Sequence, residues 1–269
     1  MCTILFKTGM DADVIEAVKN SLSPRSIFKH EQLKKEDMPL RNYCFPSSMW
    51  NRYYVPVQTI LLSFCILFIF YADMTTRDLA LSLPPRQTDP WWTYLTSITV
   101  HHNAWHLWQN MLILLIPGTI FETMHGGFTL QGVFWVSGIT GTLAEATCSD
   151  TRSRIYMGMS PAVLGIIGAY LGHLALNWNE TRFRLTVAAA LTIYTGTSIA
   201  VYTNKPQYNI AHLSHVAGFT QGVYVGILAV HNECLERGER VLRVIAFFLS
   251  SAGIILTVFR VGDNAIRDV

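Results

Sequence analysis

Seven apolar stretches, each long enough or nearly so to cross a bilayer, constrain this chain more than any other feature. They cover about 54–72, 105–122, 128–147, 158–178, 183–202, 210–231 and 241–259. The lipid core offers backbone groups no water, so only helices and closed barrels span it, and continuous apolar runs of roughly twenty residues read as helices. The composition agrees, with 51% hydrophobic and only 14% charged residues, against about 25% charged in a soluble domain. The expected fold is an all-α polytopic membrane protein. Its parts are a polar segment over 1–53, a six-span core over 54–231, and a seventh span with a short tail over 232–269. Within 1–53 the apolar run Thr3-Ile4-Leu5-Phe6 is too short for the centre of a cleavable signal.

Charge placement sets the orientation. With a cytosolic N-terminus, thirteen of the twenty Lys and Arg residues fall in or beside inner segments and seven outside. The positive-inside rule therefore favours that orientation. The formal charge of +2 gives no reason to expect a nucleic-acid partner. The five cysteines, Cys2, Cys44, Cys65, Cys148 and Cys234, are scattered, odd in number and without metal spacing. They read as neither a disulfide framework nor a zinc site.

Polar residues inside spans are the candidates for chemistry. His106 and Asn110 stand four apart, on one face of the second span about one turn deep. The fourth span opens with Gly158-Met159-Ser160-Pro161. Serine before proline is a helix-start signal, which places Ser160 just outside the helix as its N-cap. The same position faces the positive end of the helix dipole, where a developing oxyanion is stabilised, so cap and nucleophile are both open readings. The sixth span carries Ala211-His212-Leu213-Ser214-His215 at its start. Spans two, four and six all run inward, so His106/Asn110, Ser160 and His215 each lie within about five residues, roughly 8 Å, of the outer end. Gly218, Gly222 and Gly226 repeat every four residues on the His215 face, and Gly165, Gly168 and Gly172 form a stripe on span four. Such stripes let two helix backbones approach closely. Before span two, the external loop 73–100 contains Pro90-Trp91-Trp92-Thr93-Tyr94, aromatic residues suited to the headgroup region.

These residues resemble the rhomboid family of intramembrane serine proteases, in particular its eukaryotic secretase-type members with six core spans and one more. The resemblance rests on His101, His106 and Asn110; Gly118-x-x-x-Glu122-x-x-His125-Gly126; Gly158-x-Ser160; Ala175-x-Asn177-Trp178; and Ala211-His212-x-x-His215-x-x-Gly218-x-x-x-Gly222. It covers about 91–231. It implies a Ser160/His215 dyad, an oxyanion hole from Asn110, His106 and the Ser160 N–H, and structural support from His101, Gly158, Glu122, Gly218 and Gly222. It further implies single-span membrane proteins as substrates, cut near the outer end of their helix, with no cofactor and no metal. The membrane would be the plasma membrane or one of the secretory pathway. Four positions depart from the family pattern. Pro161 stands where glycine usually follows the serine, Leu164 where an aromatic supports the histidine, Thr93 where an arginine follows tryptophan, and His102-Asn103 where a glycine follows the first histidine. Proline leaves the Ser160 N–H intact but raises a steric question for substrate approach.

Two other classes are weighed against the protease. A pseudoprotease that binds and escorts client transmembrane helices has no need of Ser160 and His215. A transporter calls for carboxylates or broken helices at mid-membrane. No His-Glu-x-x-His occurs, and Asp263 lies beyond the last span. His173 and His231, toward the inner ends of spans four and six, read as packing or interfacial residues rather than ligands.

The sequon Asn179-Glu180-Thr181 falls in the inner loop after the fourth span. It is expected to stay unmodified in eukaryotic cells; a mobility shift removed by a glycosidase and by Asn179→Gln inverts the orientation.

Overall fold

The computed structural model describes residues 55–72, 76–83, 85, 90–147, 154–178, 181, 184–203, 212–230 and 237–267. The segment 1–53, the sequon at Asn179, His231, and Cys2, Cys44, Cys148 and Cys234 lie outside the described residues.

Every apolar run contains a helix. The first forms α1 (Val57–Tyr71). The stretch between the first two runs contributes α2 (Thr76–Leu79), strand β1 (Leu81–Leu83) and α3 (Thr93–Thr96). The second run is divided into α4 (Ala104–Ile113), a single π-helical turn over Leu114–Gly118, and α5 (Thr119–His125). Then follow α6 (Gly127–Thr147), β2 (Arg154–Tyr156), α7 (Ser160–Leu176), α8 (Arg184–Thr203), α9 (His212–Ala229) and α10 (Arg237–Arg267). Among the described helices, Gly238–Gly262 within α10 is long and apolar enough to cross a membrane by length and composition alone, while Val57–Tyr71 and Ser160–Leu176 are shorter apolar helices. Within α8, Arg184–Ile193 is a third shorter apolar helix.

The π turn has an identifiable cause. Pro117 lies inside it and has no N–H to give to the ladder. Its carbonyl accepts a 2.7 Å hydrogen bond from Tyr170 Oη on α7. The helix then ends at Gly126, whose φ of 85° suits a glycine C-terminal cap, and α6 begins at the next residue.

Helix α7 is the centre of the bundle, buried along nearly its whole length from Pro161 to Leu176. Its two neighbours meet it through residues with little or no side chain. Gly168 faces the Phe219 carbonyl and Gly222 faces the backbone of Gly165. A Cβ at Gly172 would lie 2.7 Å from the Ile227 nitrogen, and one at Gly226 would lie 2.7 Å from Ala169 Cα. The predicted approach of the two glycine stripes is thus present. The sequence did not show that α7 also meets α6, where Gly165 abuts Ser137 and a Cβ at Gly138 would lie 3.1 Å from that of Ala162. Helix α10 packs against both α9 and α6, joined to α9 by a buried 2.6 Å hydrogen bond from Gln221 Nε2 to Ser250 Oγ. It leaves large apolar side chains such as Phe247, Phe248, Ile255 and Phe259 exposed, as a lipid-facing helix would.

Two short strands join this helical frame. β1 and β2 pair antiparallel with Leu81 opposite Tyr156 and Leu83 opposite Arg154. They enclose a small cluster of Leu81, Leu83, Ala146 and Tyr156, which ties the stretch before α4 to the segment just before α7.

Gly222→Ala is expected to cost ~1–3 kcal/mol, since the new methyl has nowhere to go, read as a lower unfolding midpoint in detergent. Gly132→Ala, into open space on α6, serves as the control and leaves the midpoint unchanged or raises it.

Candidate active site

The site is assembled from the N-terminal ends of α4, α7 and α9. Strand β2 leads into Gly158, whose N–H donates a 2.9 Å hydrogen bond to the Ser97 carbonyl at the end of α3. Gly158 adopts φ 127°, a conformation closed to residues with side chains. A Cβ there would also lie 2.6 Å from His106 Cε1. The glycine therefore allows both the backbone turn and the seating of the His106 ring against the loop.

The structure departs from the expected cap at the next residues. Met159, not Ser160, occupies the N-cap position: its carbonyl accepts the first helical bond from Val163, and no side chain caps the helix. Ser160 is the first helical residue. Its hydroxyl turns across to α9, where Oγ lies 2.7 Å from His215 Nε2. An N-cap oxygen accepts a backbone N–H of the first turn, and Ser160, itself the first helical residue, makes no such bond; its hydroxyl meets the imidazole instead.

Pro161 answers its own steric question. It is buried, and its ring lies between α6 and α9, touching Gly141 on one side and standing 2.7 Å from the Cβ position of Gly218 on the other. The ring fills space inside the helix packing rather than the approach to Ser160.

The remaining candidate residues surround this pair. His106 is half-buried and Asn110, one turn deeper on α4, is buried at 5% exposure. Asn110 Nδ2 has no hydrogen-bond partner among the described residues, so a donor is left in position for an incoming group. His101 is buried and its ring stands 5.3 Å from that of His106, edge to face. Burial pushes the His101 imidazole down to about 3, with the neighbouring His106 adding to the effect, so it stays neutral at ordinary pH. Gly218 faces the Pro161 carbonyl, and Gly222 faces Gly165 one turn further along.

Glu122 lies at the opposite end of its span. Fully buried, it accepts hydrogen bonds from Gln58 N at 3.0 Å, Thr59 N at 2.7 Å and Thr59 Oγ1 at 2.7 Å. It caps the start of α1, which has Pro56 at its N-cap and no cap of its own. His125 and His173 pack together near that same end with ring centroids 5.0 Å apart, which agrees with reading His173 as a packing residue.

Sequence reasoning passed over four residues. Asn103, one of the departures, accepts from the His106 N–H at 2.9 Å and caps α4; the N-cap preference of asparagine was the available signal. Thr93, another departure, is buried and donates to the Pro90 carbonyl at 2.8 Å. Gly141 faces both Pro161 and the Ser214 carbonyl. Glu145, near the C-terminal end of α6, accepts from the Ser214 N–H at 3.0 Å. Nothing local marks those last two.

Comparison with known proteins decides the family. The Rhomboid domain family matches residues 88–232, just over half of the chain. This chain belongs to the rhomboid family. It is therefore an integral membrane protein of a family that includes intramembrane serine proteases. It is similar to Rhomboid-related protein 1 of Caenorhabditis elegans, 26% identical over 167 residues that make up 60% of this chain and 46% of that one. It is similar also to RHOMBOID-like protein 7 of Arabidopsis thaliana, 28% identical over 148 residues, 55% of this chain and 46% of that one. The Rhomboid protease GluP of Bacillus subtilis (strain 168) is 29% identical over 167 residues, 61% of this chain and 31% of the protease. The chain thus spans less than half the length of these relatives.

Gly158→Ala is expected to slow labelling of Ser160 by a serine-directed fluorophosphonate at least ~tenfold, because the backbone strain and the displaced His106 ring together exceed ~1.4 kcal/mol. Labelling rates of the purified protein, with Ser160→Ala as blank, give the measurement.

Proposed function

We propose that this rhomboid is an active intramembrane serine endopeptidase that cuts single-span transmembrane proteins near the outer end of their helix. The observation that carries the proposal is the 2.7 Å approach of Ser160 Oγ to His215 Nε2, made by residues on two different helices. Serine is a poor nucleophile until a neighbouring base takes its proton. With the imidazole neutral and its proton on Nδ1, Nε2 accepts the Ser160 proton as Oγ attacks the scissile carbonyl. The imidazolium then returns that proton to the leaving amine, and an acyl-enzyme remains for water to hydrolyse. Asn110 Nδ2, the His106 ring and the Ser160 N–H are assigned to the oxyanion. The unpartnered buried amide of Asn110 supports its part, and the contact of His106 with Gly158 supports its own.

The same proposal carries the finer topology: seven spans, an N-terminal segment in the cytosol, and residence in the plasma membrane or a secretory-pathway membrane. Antiparallel packing supports it, because Glu122 at the end of α5 reaches the start of α1, and Glu145 near the end of α6 reaches the start of α9. The alternative reading, a pseudoprotease that binds client helices, drew on the departures from the family pattern. Pro161 and Asn103 both have structural roles that leave the dyad untouched, which favours the enzyme.

The test is cleavage of tagged single-span substrates co-expressed with wild type, Ser160→Ala or His215→Ala at equal levels. Product is expected with wild type and none above background with Ser160→Ala. Loss of the general base in His215→Ala lowers the rate by roughly 10³-fold or more. Equal binding of a client by wild type and Ser160→Ala with no product from either rejects the protease and selects the pseudoprotease.

A further inference from the structure

The dyad joins two helices, yet a third helix holds the residue next to the histidine. Ser214 directly precedes His215, is fully buried, and is the third residue of α9. Its N–H belongs to the first turn of the helix, where backbone donors are met from outside the helical ladder. Glu145 of α6 accepts it at 3.0 Å through Oε2, and Glu145 is itself only 3% exposed. One turn earlier on the same face of α6 stands Gly141, whose missing side chain lets the Ser214 carbonyl approach; a Cβ there would lie 2.7 Å from that oxygen. Gly141 also touches Pro161, the residue after Ser160. Helix α6 therefore meets Ser214 at both its N–H and its carbonyl, and in the same turn it touches the neighbour of the nucleophile.

We infer that Glu145 is a positioning residue for His215: its carboxylate fixes the first turn of α9 and so sets the imidazole against Ser160. This rests on the protease reading of the site. Glu145 touches neither substrate nor the reacting atoms in this role. Its contribution passes through the Ser214 peptide and appears in the chemical step rather than in substrate binding. Without the acceptor, the first turn of α9 loses its hydrogen bond to α6 and the restraint that bond places on its position. A displacement of the general base by a fraction of an ångström weakens proton transfer while leaving the substrate-binding surface in place.

The experiment uses the full chain, purified and reconstituted in phosphatidylcholine vesicles with a fluorogenic single-span substrate. Wild type against Ser160→Ala comes first: no difference between them rejects the protease reading itself, before Glu145 is tested. Given wild-type turnover, Glu145→Gln and Glu145→Met have similar volume, but only the glutamine offers a strong acceptor to the Ser214 N–H. Glu145→Gln is expected to keep at least about half of the wild-type kcat, and Glu145→Met to lose roughly tenfold or more with KM within about twofold, as a displaced general base beside an intact binding surface predicts. A kcat for Glu145→Met within about twofold of wild type overturns the inference, as does a change confined to KM. Thermal unfolding in the same vesicles checks that the variants are folded. If Glu145→Met is not, Glu145→Gln decides: a folded protein with kcat below about a tenth of wild type overturns the role of the hydrogen bond.

Discussion

Closeness of two backbones is the constraint on which this molecule depends. A serine and a histidine on separate helices share a proton only if the helices approach more tightly than ordinary side chains permit. Helices α7 and α9 achieve this with Gly165, Gly168, Gly172, Gly218, Gly222 and Gly226 along their contact. In lipid this closeness has no hydrophobic gain behind it, because the surrounding tails are as apolar as leucine; the attraction comes from many short van der Waals contacts. The 2.7 Å separation of Ser160 and His215 lies at the N-terminal end of that seam. Fixing the seam fixes the pair.

Satisfaction of helix ends supplies the second layer of order. Away from bulk water an unpaired backbone N–H is costly, and α1 begins without a local side-chain cap. Glu122 answers for α1, and Glu145 answers for Ser214 near the start of α9. Each carboxylate lies on a different helix from the donors it serves, so the solution to a local hydrogen-bonding problem becomes a tertiary contact. A negative group near a helix start is favourable in its own right through the helix dipole. The two glutamates sit near opposite ends of the bundle, one remote from the dyad and one beside it.

Much of this was legible in the sequence because its periodicities are strong. Each apolar run contains a helix, and the four-residue spacing of glycines in α9 pointed toward a close contact with α7, which the structure shows. The common position of His106, Asn110, Ser160 and His215 near the starts of their spans singled out the site. What could not be read depends on partners far away in the chain. Ser160-Pro161 carries the local marks of a cap, and only a histidine fifty-five residues later draws the hydroxyl elsewhere. Glu145 looks like any glutamate at a span end until Ser214 arrives beside it. The pairing of β1 with β2 joins Leu81 to Tyr156 through three-residue strands too short to show an alternating pattern. The π turn was hidden because Pro117 in a span reads as a kink, and its accommodation relies on a tyrosine from α7.

The seating of Pro161 between Gly141 and Gly218 bears on how freely this sequence can drift. The ring and the two vacant positions around it form a matched set. Restoring the glycine that the family usually carries after its serine would remove the ring and leave a hollow between three helices. Adding a side chain at either flanking glycine would collide with the ring still in place. No member of the set can change first without loss, so the proline is entrenched by its neighbours. A residue that looks like an isolated exception in the sequence is thereby held as firmly as the serine it follows.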